Sequence, residues 1–192
     1  GISMQSHAAL ELRGTDSLGN RLIYDSDLNI TWYDYTKATA TWDTQMGWAS
    51  ALSIDFDGTI YDDWRLPTAL NQNGTDPCGG SNCTSSEMGH LYYTELGNPA
   101  GGPLTYKGDF QNLQAYSYWS GTELAAATSN AWVFQSNFGN QTVYYKGSNF
   151  YAIAVRPGDV SVAVAPEPVS TILFGVGGVV LGARRMVERR RG

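Results

Sequence analysis

Four groupings of residues carry possible chemistry. Asp55-Phe56-Asp57-Gly58-Thr59 sets two carboxylates two residues apart ahead of a turn, the arrangement in which a first Asp attacks phosphorus and a second serves as acid and base. That reaction needs a parallel α/β sheet with a later Lys and an acidic pair supporting Mg²⁺, whereas the chain downstream reads as antiparallel and irregular. A solvated turn is the expected role. Asp25-Ser26-Asp27-Leu28-Asn29 has the first three oxygen positions of an EF-hand loop, but Ile30 stands where Gly is required and Thr36 where Glu closes the site. Calcium through that motif is excluded; around Asp55, Asp57, Asp62 and Asp63 it stands as the alternative to ordinary surface carboxylates. His90 lies beside Leu91 and Tyr92 on a helical stripe, where a structural role outweighs membership of a Ser-His-Asp set. Cys78 and Cys83 flank Gly79-Gly80-Ser81-Asn82, a loop short enough to close a disulfide in an oxidising compartment. Zinc would need two more soft ligands, and the body has one histidine; no metal and no cofactor are expected.

The elements that position these groups are mostly strands. With 192 residues, 42% apolar and 16% charged, 22 glycines, 12 Tyr, 6 Trp and 6 Phe, the chain suits one β-rich, loop-rich domain with an appendage. Residues 21–24 and 28–32 read as a hairpin across Asp25-Ser26-Asp27. Thr41 caps a helix to about Leu52, with Trp42, Met46, Ala49 and Leu52 on one face. Asp62 to Thr68 is extended and stopped by Pro67. Thr84-Ser85-Ser86-Glu87 has capping-box spacing, opening a second helix that runs to Gly97. Residues 98–115 read as irregular. Strands follow at 118–120, 131–138, 142–146 and 151–155, with Gly139-Asn140 as a tight turn. Helices followed by an antiparallel sheet predict an α+β fold. Trp32, Trp42, Trp64 and Trp132 fall in patterned segments, which favours the core over sugar stacking. Arg65 and Glu87 are expected to form a buried pair, and Arg156 to pin the last strand.

Charge divides the chain. Residues 1–165 carry 16 acidic and 7 basic side chains, residues 166–192 carry 2 and 5. The acidic body excludes nucleic acid as a partner, because it offers no cationic surface to release phosphate counterions. The tail has three parts: Pro166-Glu167-Pro168, a predominantly apolar run over 169–183, and Arg184, Arg185, Arg189, Arg190 and Arg191. As a helix the run would reach about 22 Å, short of the roughly 30 Å hydrocarbon core. Local thinning or arginine snorkelling would close the gap. The positive-inside rule keeps the arginines cytoplasmic and the body on the other side. At the other end, Ser6-His7-Ala8 has small residues at −3 and −1 of a cut before Ala9. Residues 1–8 therefore read as a signal-peptide remnant, 9–158 as the α+β domain, 159–165 as a spacer and 166–192 as the sorting tail.

This tail resembles the PEP-CTERM sorting signal of Gram-negative bacteria, also catalogued as an ice-binding protein C-terminal domain. The resemblance implies an exosortase and the inner membrane as sorting partners, then delivery to the cell surface or matrix. The body resembles the Lcl C-terminal domain group through Leu22-Ile23-Tyr24-Asp25, Leu28-Asn29-Ile30-Thr31-Trp32, Asp63-Trp64-Arg65-Leu66-Pro67-Thr68, Ser86-Glu87-Met88-Gly89-His90-Leu91-Tyr92-Tyr93, Tyr118-Trp119-Ser120-Gly121-Thr122-Glu123 and Ala154-Val155-Arg156-Pro157-Gly158. Its marker residues here are Trp64, Arg65, Leu66, Pro67, Thr68, Glu87, Trp119 and Arg156. The group is similar to C-type-lectin-like and formylglycine-generating folds, which implies two helices flanking twisted antiparallel strands; the tail adds a C-terminal hydrophobic helix. The body contains no Glu-Pro-Asn, Gln-Pro-Asp or Trp-Asn-Asp sugar motif, and its cysteines sit close together in a glycine-rich loop, so neither calcium-dependent sugar binding nor oxidase activity carries over. The expectation is a non-catalytic binding or structural domain that meets extracellular polysaccharide or copies of itself. A secreted hydrolase-like enzyme and a self-assembling filament protein are the alternatives.

Overall fold

The computed structural model describes residues 9–160. The expected leader remnant, the PEP-CTERM motif, the apolar run, the arginine cluster and most of the spacer lie outside them. In chain order the elements are strands β1 (Leu10–Thr15), β2 (Arg21–Asp25) and β3 (Ile30–Ala40), helix α1 (Trp42–Ser50), strands β4 (Ile54–Phe56), β5 (Thr59–Tyr61) and β6 (Gly80–Ser81), helix α2 (Glu87–Gly89) continuing as a π-helix (His90–Glu95), and strands β7 (Ser117–Glu123), β8 (Asn130–Gln135), β9 (Asn140–Tyr145) and β10 (Phe150–Pro157). The fold is α+β and mostly sheet. No helix among the described residues is long and apolar enough to cross a membrane.

Eight strands form one sheet in the order β1-β2-β3-β10-β7-β8-β9-β6, with β4 and β5 as a separate hairpin. The last strand sits in the middle. It pairs antiparallel with β3 and meets β7 at a parallel Tyr151–Tyr118 pairing, so the sheet is mixed rather than wholly antiparallel.

Strand alternation sends successive side chains to opposite faces, and here both faces are covered. Ile23, Trp32, Phe134, Ile153 and Val155 pack under Met88, Leu91 and Tyr92 and under Leu104, Phe110 and Leu113 of the irregular 98–115 segment. On the other face Leu22, Tyr33 and Ala154 meet Ile54 and Phe56 of the small hairpin, while Ala152, Trp119 and Val133 meet Ala49 of α1. Two-sided burial explains why Val133 and Phe134 are both buried; Phe138, expected to continue the alternation, lies beyond the end of the strand at Gln135 and is exposed. The β8–β9 loop spans Ser136 to Gly139; Asn140 already opens β9 opposite Gln135.

The helices depart from expectation at their ends. Ser86, not Thr84, caps α2, its side chain accepting from the Gly89 N–H. Glu87 therefore never closes a capping box and is free to pair elsewhere. In α1, Gln45 is fully buried, with Nε2 donating to the carbonyls of Ala38 and Phe150, an inward role that its polar side chain did not advertise. Packing also runs past the expected domain end: Val160 is buried and Asp159 pairs with Arg13.

The 98–115 segment lacks regular structure and is held by buried Asp34 of β3. Its carboxylate accepts the backbone N–H groups of Gln111 (2.7 Å) and Asn112 (3.0 Å). Burial raises the Asp34 carboxyl above its usual range, partly offset by those two donors. Its folded value exceeds its unfolded one, so its contribution to stability grows as pH falls through the folded value and levels off near the unfolded value of about 4. Urea unfolding between pH 4 and pH 7 should show that slope in the native chain and a shallower one in Asp34→Asn.

Candidate functional site

The residues singled out from sequence gather around the segment 64–68. Trp64 and Leu66 are buried, and the Trp64 indole donates to the Tyr61 carbonyl. Arg65 pairs with Val155 through both backbone groups, at 2.9 Å each. Its guanidinium forms a fork with Glu87, at 2.8 and 2.6 Å. The Glu87 carboxylate also accepts the Thr68 N–H at 2.7 Å. The Pro67 carbonyl accepts from Gly121, and the Thr68 and Thr122 hydroxyls meet at 3.1 Å. Trp119 is buried and donates to the Ala40 carbonyl. Arg156 chelates Asp63 and donates to the Gly158 and Asp159 carbonyls, which pins the end of β10. Cys78 and Cys83 form a disulfide. The closed loop leans on the second helix so tightly that a Cβ on Gly89 would lie 1.8 Å from the Cys83 carbonyl oxygen. Asp55 sits in the β4–β5 hairpin, where it accepts the Gly58 N–H across a turn with Asp57 and Gly58 at positive φ. That is the arrangement of a tight antiparallel turn.

A cleft of about 400 Å³ opens beside Glu87, lined by Asp27, Leu28, Thr68, Asn71 and Gln72. Two of these face His90. The Gln72 amide nitrogen lies 3.3 Å from His90 Nδ1, and Asp27 Oδ2 lies 3.9 Å from Nε2. Nε2 also lies 2.9 Å from Glu95 Oε1. Asp25 completes the group: one ligating atom from each of Asp25, His90 and Glu95 lies within 4.8 Å of the others. Asp25 is fully buried, its Oδ1 accepting from the Leu28 N–H and its Oδ2 from the Trp32 indole. Burial raises the Asp25 carboxyl above its usual range. The Glu95 carboxyl is raised as well, first by burial and then by the Asp25 charge.

The π-helix makes this contact. In an α-helix residues i and i+5 lie about 140° apart and cannot meet, whereas the wider winding, shown by the Leu96 N–H bonding the Leu91 carbonyl, brings His90 and Glu95 together. In the sequence His90 lies on a helical stripe, Asp25 opens a turn-forming run and Glu95 falls within the second helix, and none of these roles joins the three. The one available signal was the five-residue His–Glu spacing, which acquires meaning only in a π-helix.

No protein family matches the chain, and no curated protein matches it in sequence.

Removing the charge from Glu87 leaves Arg65 without its partner and weakens the acceptor for Thr68. Glu87→Gln should lower unfolding free energy by about 1.5–3 kcal/mol, the usual worth of hydrogen bonds to charged groups, measured by urea titration at pH 7.

Proposed function

We propose that this is an exported surface or extracellular-matrix protein whose body is a non-catalytic binding domain of C-type-lectin-like type, sorted through its tail by an exosortase. The Cys78–Cys83 bond carries the reading. It uses both cysteines of the chain, and such bonds persist in oxidising compartments. The tail supplies the route: Pro166-Glu167-Pro168, then the apolar run, then Arg184, Arg185, Arg189, Arg190 and Arg191 as the cytoplasmic stop. The lectin-like assignment draws support from the return of β10 beside β3 and from short helices on opposite faces of the sheet.

Binding is favoured over turnover by the surroundings of His90. Its ring nitrogens face an amide and two carboxylates, where a hydrolytic triad would require a hydroxyl nucleophile at one of them. The cleft beside it offers the hydroxyl of Thr68, the amides of Asn71 and Gln72 and the carboxylate of Asp27. These suit a hydroxyl-rich ligand such as extracellular polysaccharide.

In a Gram-negative host carrying an exosortase, Glu167→Ala and deletion of residues 184–191 should each leave unprocessed precursor in the inner-membrane fraction. Normal release of either variant would overturn the sorting assignment. Binding is tested separately, on a glycan array with and without calcium; turnover in a hydrolase screen that disappears in His90→Ala would overturn the non-catalytic reading.

A further inference from the structure

We propose that Asp25, His90 and Glu95, with Asp27 at the solvent side, form a binding site for a first-row divalent cation, with Zn²⁺ as its probe. This goes beyond the proposed export and binding role and does not depend on it.

Geometry is the first support. Ligand atoms about 2.0–2.2 Å from a common ion lie roughly 3–3.6 Å from one another. His90 Nε2 and Glu95 Oε1 are already 2.9 Å apart, and the Asp25 carboxylate completes a set within 4.8 Å. Side-chain rotations that close about 1–2 Å would bring all three onto one ion. Asp27 Oδ2, 3.9 Å from the same imidazole nitrogen on a half-exposed side chain, supplies a fourth ligand atom and the approach from solvent.

The supporting shell is the second. Metal-bound carboxylates and imidazoles are held by outer hydrogen bonds that fix their orientation. Asp25 has two such donors, the Leu28 N–H and the Trp32 indole, and each oxygen keeps a further lone pair. His90 has Gln72 against Nδ1. With Nε2 bound to metal, Nδ1 carries the proton, and a turn of the Gln72 amide presents Oε1 to accept it.

The third support is the π-helix itself. Such windings are rare and concentrate at functional sites, and this one creates the His90–Glu95 contact. Without a cation the cluster gathers two buried carboxylates and a third nearby carboxylate around one imidazole; a divalent ion offsets that excess. The mixed imidazole and carboxylate set selects a first-row metal over Ca²⁺, which takes six to eight oxygens.

The test is calorimetric titration of the chelator-stripped full chain with Zn²⁺, Mn²⁺ and Ca²⁺, with the His90 ring followed by NMR. One Zn²⁺ should bind per chain and shift the His90 ring signals. Glu95→Gln and His90→Gln should lower affinity by about 100-fold, and exposed Asp27→Asn by about tenfold. His7→Ala, which removes the chain's other histidine, should change nothing. If the buried variants fail to fold, Asp27→Asn and the His90 signals decide. Unmoved His90 signals, affinity unchanged in Asp27→Asn or Glu95→Gln, or Ca²⁺ bound as tightly as Zn²⁺ would each overturn the proposal.

Discussion

Arg65 and Glu87 tie together the central strand of the sheet, the start of α2 and the segment between them. Arg65 uses its backbone to extend the pairing of β10 and its guanidinium to hold Glu87 at the start of α2, while Glu87 holds the Thr68 N–H that follows Pro67. One residue thus binds sheet to helix. The Glu87 side chain is nearly buried and that of Arg65 is 42% exposed, so the pair escapes much of the desolvation that weakens fully buried ion pairs. The position of the cleft follows, because Thr68, Glu87 and the 71–74 turn set its wall.

The same frame fixes His90. Glu87 and Ser86 start the helix, the disulfide loop leans on Gly89, and His90 is the next residue. From the sheet, Asp25 ends β2 at full burial while Asp27 remains outside in the turn. A turn former and a ligand-grade carboxylate are thus one residue, its role decided by which helix the strand end faces.

Much of the fold was legible because it rests on local rules. The 21–32 hairpin, the strands after residue 117 and the Asp57-Gly58 turn follow from alternation and turn chemistry; Arg65 and Glu87 pair as expected, but Arg65 stays 42% exposed where a buried pair was expected. Other features depend on tertiary context. Burial on both sheet faces hides the polar alternation of β8, β6 is two residues supported by β9, and Gln45 is drawn inside by open carbonyls on β3 and β10. The candidate cluster was least legible of all: Asp25 and Glu95 are 70 residues apart in sequence, and the winding that joins Glu95 to His90 departs from the periodicity by which helices are read.

The placement of β10 has a consequence for how the body is assembled. The strands before α1 and those after residue 117 are each locally paired, but β10 is the strand that joins the two groups within the sheet. During synthesis both groups emerge before the last strand of the body, each with an open edge until it arrives. Completion of the sheet is therefore timed by the C-terminal end of the body, because without residues 150–157 its strand order is interrupted between β3 and β7.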